Sequence, residues 1–253
     1  MKREKDPEKE NRLLEAIKQI NDEFGNKETG YMPITLGRPT VKAISTGSLA
    51  LDYATNFGGL PEGRLFEFYG AEASGKTTCA LQFAKQFLAN GESVLFVDME
   101  CAFSPEWGEK MGIKYSTKED IIKHPEKAHF IIVEPTTFDE TFSEIRTFIE
   151  KAGIKLVILD SIPALVTSAE ANGEEEEGKG MPVFAKNLKK QLRTLNNLCA
   201  KNKAMIIFIN HLMEKITTFG FGDKKTTPGG KALKFFSSMR LEFTRVKTLR
   251  SEE

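Results

Sequence analysis

Short apolar runs alternate along this chain with longer stretches in which apolar positions recur every three or four residues. The runs are Leu65–Phe68, Val94–Val97, Phe130–Val133, Leu156–Leu159, Met205–Ile209 and Met239–Phe243. Several are apolar almost throughout, the pattern of strands buried on both faces of a sheet. Between them lie helical patterns at Lys76–Asn90, Thr137–Ala152 and Val183–Lys201. Strand and helix in alternation imply right-handed crossovers and a mainly parallel sheet, so an α/β fold is expected. In such sheets ligands bind beyond the carboxyl ends of the strands, and polar residues should be searched for there.

A further helix is predicted over residues 5–25. Asp6 suits the N-cap, Pro7 the first helical position and Gly25 the stop. Leu13, Ile17, Ile20 and Phe24 make one narrow apolar stripe, which must cover either its own core or a neighbouring molecule. No internal repeat is visible. The acidic segment from Gly173 to Gly178 reads as an exposed loop.

Composition narrows the class without choosing a function. A length of 253 residues suits one sizeable α/β domain with a small appendage. Apolar residues make up 40% and charged residues 28%, in keeping with a globular protein. Lys plus Arg and Asp plus Glu are 36 each, a balance that neither demands nor excludes a polyanionic partner. Cys79, Cys101 and Cys199 form no disulfide or zinc pattern, and a reducing cytosol is the simplest reading. No apolar run approaches the roughly 20 residues that span a bilayer. The basic N-terminus lacks the apolar core of a secretory signal.

The chemistry begins with Gly70, Ala71, Glu72, Ala73, Ser74, Gly75, Lys76 and Thr77, which match GxxxxGK[ST] between a strand and a helix. Glycines at these places allow successive N–H groups to turn inward around an anion, and the helix N-terminus adds partial positive charge. Lys76 can reach β- and γ-phosphates, and the Thr77 hydroxyl can ligate Mg²⁺. ATP with Mg²⁺ is the expected ligand. Asp160 ends the run Leu156–Leu159 and can hold the same ion through water. Glu100, beyond the run Val94–Val97, can orient or activate an attacking water, with Asp98 as helper or alternative base. Asn210 and His211 end another strand, and either can sense the γ-phosphate. The long loop from His211 to Gly230 combines Lys, Thr and Gly with Phe and Ile, chemistry able to contact phosphates and to wedge between bases. Its composition leaves a plain mobile loop open as well.

Several segments agree in order and spacing with one family: Ile44 to Asp52, Gly58 to Arg64, Gly70 to Thr78, Asp98 to Glu100, Leu156 to Ser161, Phe208 to Asn210 and Gly229 to Phe235. From about residue 11 onward the chain resembles the RecA-type DNA strand-exchange recombinases. Asn210-His211, where bacterial members typically carry Asn-Gln, looks more like the phage members. The resemblance implies a RecA-like P-loop ATPase core over residues 37–253. It also implies an N-terminal helix and strand over residues 1–36, with both the helix and Tyr31–Leu36 docking on the next subunit, which would cover the stripe from Leu13 to Phe24. Glu100 would be the catalytic glutamate, assisted by Lys76 and by His211 as γ-phosphate sensor. Gly70 to Thr78, Ser104, Trp107 and Asp160 would hold the nucleotide, with Trp107 stacked on adenine, and Thr77 and Asp160 would hold the metal. DNA contacts would fall on Met181 in a first loop (Ala171 to Pro182), on Lys186 and Arg193, and on Ile216, Thr226, Thr227, Gly229, Gly230 and Lys231 in a second. Lys234 and Phe235 would bridge subunits.

The departures are Glu174 to Glu177 in the first DNA loop, Pro182 in place of a usual glycine, and an end at Glu253 before the family's last core strands and C-terminal domain. The resemblance implies a cytoplasmic protein of a bacterial or phage-infected cell that forms helical filaments on single-stranded DNA and pairs it with duplex, hydrolysing ATP. A non-catalytic paralogue that binds ATP and modulates a recombinase is the rival. A ring helicase fits less well, because the N-terminal helix resembles a filament-docking element.

Overall fold

A computed structural model describes residues 7–24, 42–165, 180–214 and 225–247. The chain divides into two units, Met1–Val41 and Lys42–Glu253. In the first, α1 spans Pro7–Phe24, with proline at the opening position where a missing N–H costs nothing. Asp6 and Gly25, the expected cap and stop, lie outside the described residues, as do Tyr31–Leu36 and the side chains of Leu13 and Phe24. Of the remaining stripe, Ile17 is half-buried and Ile20 is at the edge of exposure.

The second unit opens with β1 (Ala43–Ile44), α2 (Leu49–Ala54) and β2 (Leu60–Pro61), the two strands pairing antiparallel. Then come β3 (Leu65–Gly70), α3 (Lys76–Ala89), β4 (Val94–Asp98), α4 (Pro105–Lys110), α5 (Lys118–Lys123) and β5 (Phe130–Val133). They are followed by α6 (Phe138–Lys151), β6 (Leu156–Asp160), α7 (Gly180–Asn202), β7 (Met205–His211), β8 (Met213–Glu214), β9 (Lys225–Thr226), α8 (Ala232–Phe236) and β10 (Met239–Phe243). Six strands form one parallel sheet in the order β10-β3-β7-β6-β4-β5. All six expected strands are present, and the α/β reading stands.

Side-chain alternation builds two cores. Leu65, Leu95, Val97, Val157, Leu159, Ile206 and Phe208 face α6 and α7. Phe66, Phe68, Phe96, Ile158, Ile207 and Ile209 point the other way, against α3. Each fully buried Leu, Ile or Phe contributes roughly 1.5–3 kcal/mol, so the twin cores hold β3, β4, β6 and β7 rigidly at the centre. The sites at their carboxyl ends inherit that rigidity.

The helix expected from Val183 starts at Gly180, with Pro182 in its first turn. The short helices α2, α4 and α5 carry no long periodicity. Each is started by a side-chain cap: Ser48 on Leu51 N–H, Ser104 on Trp107 N–H, and a reciprocal box between Thr117 and Asp120.

Candidate nucleotide site

The loop between β3 and α3 is shaped by close approach. A Cβ on Gly70 would lie 2.3 Å from the Phe243 carbonyl oxygen of β10, so only glycine fits. Gly75 takes φ +98°, a left-handed conformation, and leaves α3 with no side-chain cap. The helix therefore presents uncapped N–H groups at its positive end. Lys76 is 5% exposed, and its Nζ donates to the carbonyls of Ala71 (2.8 Å) and Gly70 (3.3 Å). Burial depresses its pKa, against the pull of Asp160, Glu100 and Glu72. The Ser74 hydroxyl is buried without a partner in the same loop. Together they form the cradle an anionic oxygen would complete.

The cleft in front of the loop has a volume of about 610 Å³ and is lined by Glu72 to Thr78 together with Glu100, Asp160 and His211. Asp160 ends β6 opposite Asp98 of β4 in register. It accepts a 2.6 Å bond from Thr77 Oγ1. Burial pushes its pKa up to about 6; Glu100 and Asp98 push the same way, while the Thr77 bond and Lys76 oppose. A buried carboxyl beside a hydroxyl and further carboxylates is a donor set that a hard divalent cation would satisfy. Among the described residues no group of three or more His, Cys, Asp or Glu gathers as a metal site by itself. The Thr77 hydroxyl and the Asp160 carboxylate are oxygen donors of the kind Mg²⁺ takes, so these two residues could hold it.

Glu100 stands at the mouth. Its Oε1 accepts a 2.5 Å bond from Ser161 Oγ and lies 3.7 Å from His211 Nε2. Asp98 is 2% exposed, and its carboxylate accepts from the N–H groups of Ala102 (3.2 Å) and Phe103 (2.8 Å), closing the turn after β4. Of the two carboxylates, only Glu100 borders the phosphate cleft. Asn210 is buried and occupied elsewhere, so of Asn210 and His211 it is His211 that faces the cleft. Sequence reasoning gave Ser161 no role; its position directly after Asp160 was the available signal.

Ser104 and Trp107 border a neighbouring slot of about 320 Å³ that shares Thr77, Glu100 and Asp160 with the cleft. The Ser104 hydroxyl is engaged as the α4 cap. Trp107 is 49% exposed.

The expected DNA and subunit residues divide. Lys186 and Arg193 are exposed on α7, seven residues apart and so on one face. Met181 lies in the first turn of α7, its side chain outside the described residues; Ile216 and Glu174 to Glu177 also lie outside them. Thr226 is half-buried on β9, whereas Thr227 is 3% exposed with an unpartnered hydroxyl. Gly229 and Gly230 take φ +83° and +64°, and a Cβ on Gly229 would strike Leu188 at 2.6 Å. Gly229 is thus buried against α7 while Gly230, Lys231, Lys234 and Phe235 are exposed. Lys186, Gly229, Lys231 and Phe235 meet around a second cavity of about 400 Å³. No described helix is long and apolar enough to cross a membrane.

Comparison with known proteins agrees with this geometry. The family model of the RecA N-terminal domain matches residues 11–253. The chain is similar to Protein RecA of Symbiobacterium thermophilum, with 36% identity over 246 residues, 97% of this chain and 66% of that protein. It is similar to Protein RecA of Chloroflexus aggregans at 36% over 245 residues (96% and 66%) and of Chlorobaculum parvum at 35% over 248 residues (98% and 67%). It thus spans about two thirds of the length of these relatives. The nucleotide cradle, the parallel sheet that positions it and these matches lead to one conclusion: the chain belongs to the RecA family.

Proposed function

We propose that this protein is a DNA-dependent ATPase of homologous recombination. It binds ATP with Mg²⁺ and assembles as a helical filament on single-stranded DNA. It then pairs that strand with duplex and exchanges strands, releasing DNA on hydrolysis. Residues 1–36 act as the subunit-docking segment and 37–253 as the ATPase core, working in the cytoplasm of a bacterial or phage-infected cell. The observation that carries the reading is the convergence of Lys76, Thr77, Asp160, Glu100 and His211 on one cleft.

Bound ATP·Mg²⁺ supplies the scissile phosphoryl bond. Lys76 would give up its two carbonyl partners for phosphate oxygens, and Thr77 and Asp160 would hold the metal. Glu100 would take a proton from the water as its oxygen bonds to the γ-phosphorus and the bridging P–O bond breaks, ADP being the leaving group. Ser161 fixes one oxygen of that carboxylate and thereby aims the other, the positioning that phosphoryl transfer to water depends on. His211, 3.7 Å from Glu100 Oε1, would sense loss of the γ-phosphate and pass it to the segment that follows, the second DNA loop; that short distance supports the role. Lys186, Arg193, Lys231 and the residues of both loops contact DNA, and Lys234 with Phe235 bridges to the next subunit.

ATP turnover stimulated by single-stranded DNA tests the proposal directly. Glu100→Gln is expected to bind ATP normally and to lose about 10²–10⁴-fold in turnover. Tight ATP binding without DNA-stimulated turnover in the unmodified protein would instead favour a non-catalytic modulator of a recombinase.

A further inference from the structure

Glu67 is a charged residue with no accessible surface in the middle of β3, between Phe66 and Phe68 of the α3-side core. Both of its oxygens are used. Oε1 accepts from Asn210 Nδ2 of β7 at 2.9 Å, and Oε2 is bound by Arg240 Nε of β10. The Arg240 guanidinium lies 4.3 Å from the centre of the Tyr69 ring, which fixes its plane.

The two partners bracket one excursion of the chain. The chain leaves the sheet after Asn210 and His211 and rejoins it at Met239–Arg240. Between them lie β8, β9, the Pro228–Gly230 turn and α8. Asn210 ties the near end to the far side of that excursion. Its Nδ2 also donates to the Pro228 carbonyl at 3.1 Å, and its Oδ1 accepts the His211 N–H at 2.9 Å. Further backbone bonds pin the same two ends to β3: Leu212 N–H to Gly70 O (3.1 Å) and Ser238 N–H to Leu65 O (2.8 Å).

Stability alone does not explain a carboxylate here. Apolar residues of similar volume in place of a buried ion pair are commonly as stable or more so, whereas a buried pair can specify one arrangement. A carboxylate offers two directional acceptors, and these two reach opposite neighbouring strands. We propose that Glu67 is a positioning residue: it clamps both ends of the His211–Met239 excursion, so that a change at His211 in the cleft is passed to the Pro228 turn and α8. The inference rests on the reading above, in which nucleotide state controls DNA affinity, and adds the element that carries the coupling.

The test compares affinity for fluorescein-labelled oligo(dT) with ATPγS and with ADP, alongside affinity for a fluorescent ATP analogue. Glu67→Gln keeps the shape but turns a donor toward Arg240, opening one arm of the clamp. Arg240→Lys keeps the charge but loses the planar fork. In the unmodified protein the ATPγS-to-ADP affinity ratio should fall in the range of about 5–150-fold usual for coupled sites. In both variants the ratio should drop to within about twofold of unity while nucleotide affinity stays within about twofold of the unmodified protein. A folded variant that keeps the full ratio overturns the clamp, as does one whose nucleotide affinity falls in proportion, which marks a merely structural role. Absence of coupling in the unmodified protein sinks the recombinase reading and this inference with it, a different result from either. Should both variants fail to fold, hydrogen exchange of the unmodified protein decides. Protection of the Gly229 to Leu233 amides that differs between ATPγS and ADP supports the clamp, and identical protection overturns it.

Discussion

Asp160→Asn should make the nucleotide-free protein more stable and the nucleotide-bound protein less so. In the folded chain the Asp160 carboxyl ionises at about 6 rather than the ordinary 3.8, chiefly because it is buried, with Glu100 and Asp98 adding repulsion. That difference corresponds to about 3 kcal/mol held against the ionised form. Below 3.8 the carboxyl is protonated in both folded and unfolded chains, and no penalty exists. Between 3.8 and about 6 the folded state keeps a proton that the unfolded chain gives up, so stability falls as pH rises through this window. Above it the full penalty remains. Asparagine carries none of it, still accepts from Thr77 Oγ1, and can donate toward Glu100. Allowing about 1 kcal/mol for an imperfectly placed amide, the variant should gain roughly 1–2 kcal/mol at pH 8, or several degrees in Tm.

Urea unfolding of both proteins from pH 4 to pH 8, without nucleotide, reads this out as a difference that cancels the titrating groups not coupled to Asp160. The gap should open across the window and be flat above it. With ATP and Mg²⁺ the order should reverse. The unmodified protein gains about 2.7 kcal/mol at a hundredfold excess of ligand over Kd, and asparagine offers the metal no anionic oxygen. A variant less stable than the unmodified protein at pH 8 without nucleotide, or a gap independent of pH, would refute the argument.

Trp107 is the sole tryptophan and half-exposed beside the cleft, so adenine nucleotides should change its fluorescence. Trp107→Ala should weaken ATP binding by about 1 kcal/mol with turnover at saturation unchanged; equal affinity in both proteins would remove it from the base site. Lys186→Ala combined with Arg193→Ala should lower the slope of log Kd for single-stranded DNA against log salt by about 1 per residue, measured by fluorescence anisotropy. Phe142, fully buried on α6, should cost about 3–5 kcal/mol as alanine in urea unfolding; a loss below about 1 kcal/mol would mean that the α6-side core is not closely packed.

The four central strands, β3, β4, β6 and β7, were legible because a strand covered on both faces must be apolar almost throughout, and little else in a chain this polar looks like that; β10, at the sheet edge with Arg240 and Glu242 in it, carries that signal only weakly. The phosphate loop was legible for a different reason. Its chemistry is done by backbone, and only a few residue types allow that backbone, as the 2.3 Å approach to Gly70 illustrates. The short helices were not, since α2, α4 and α5 are started by single side-chain caps rather than by a face that repeats. Burial of Thr227 and Gly229 was equally hidden. For Gly229 it depends on α7 lying across the turn, a contact with Leu188 some forty residues away in sequence.

The choice between adjacent polar residues shows where sequence reasoning needs one more fact. Asn210 and His211 look equivalent as the polar end of an apolar strand, yet consecutive strand residues point to opposite faces. Phe208 packs toward α6 and α7, and Ile209 toward α3. Alternation then sends Asn210 to the α7 side, where Glu67 and Pro228 wait, and His211 to the side from which α3 delivers Lys76 and Thr77. Once the faces are known the assignment follows from counting by twos. What the apolar run cannot reveal is which of its two alternating sets meets the helix after the phosphate loop. Every residue of the run is buried, and burial on both sides erases the polar-apolar alternation that would otherwise mark the face.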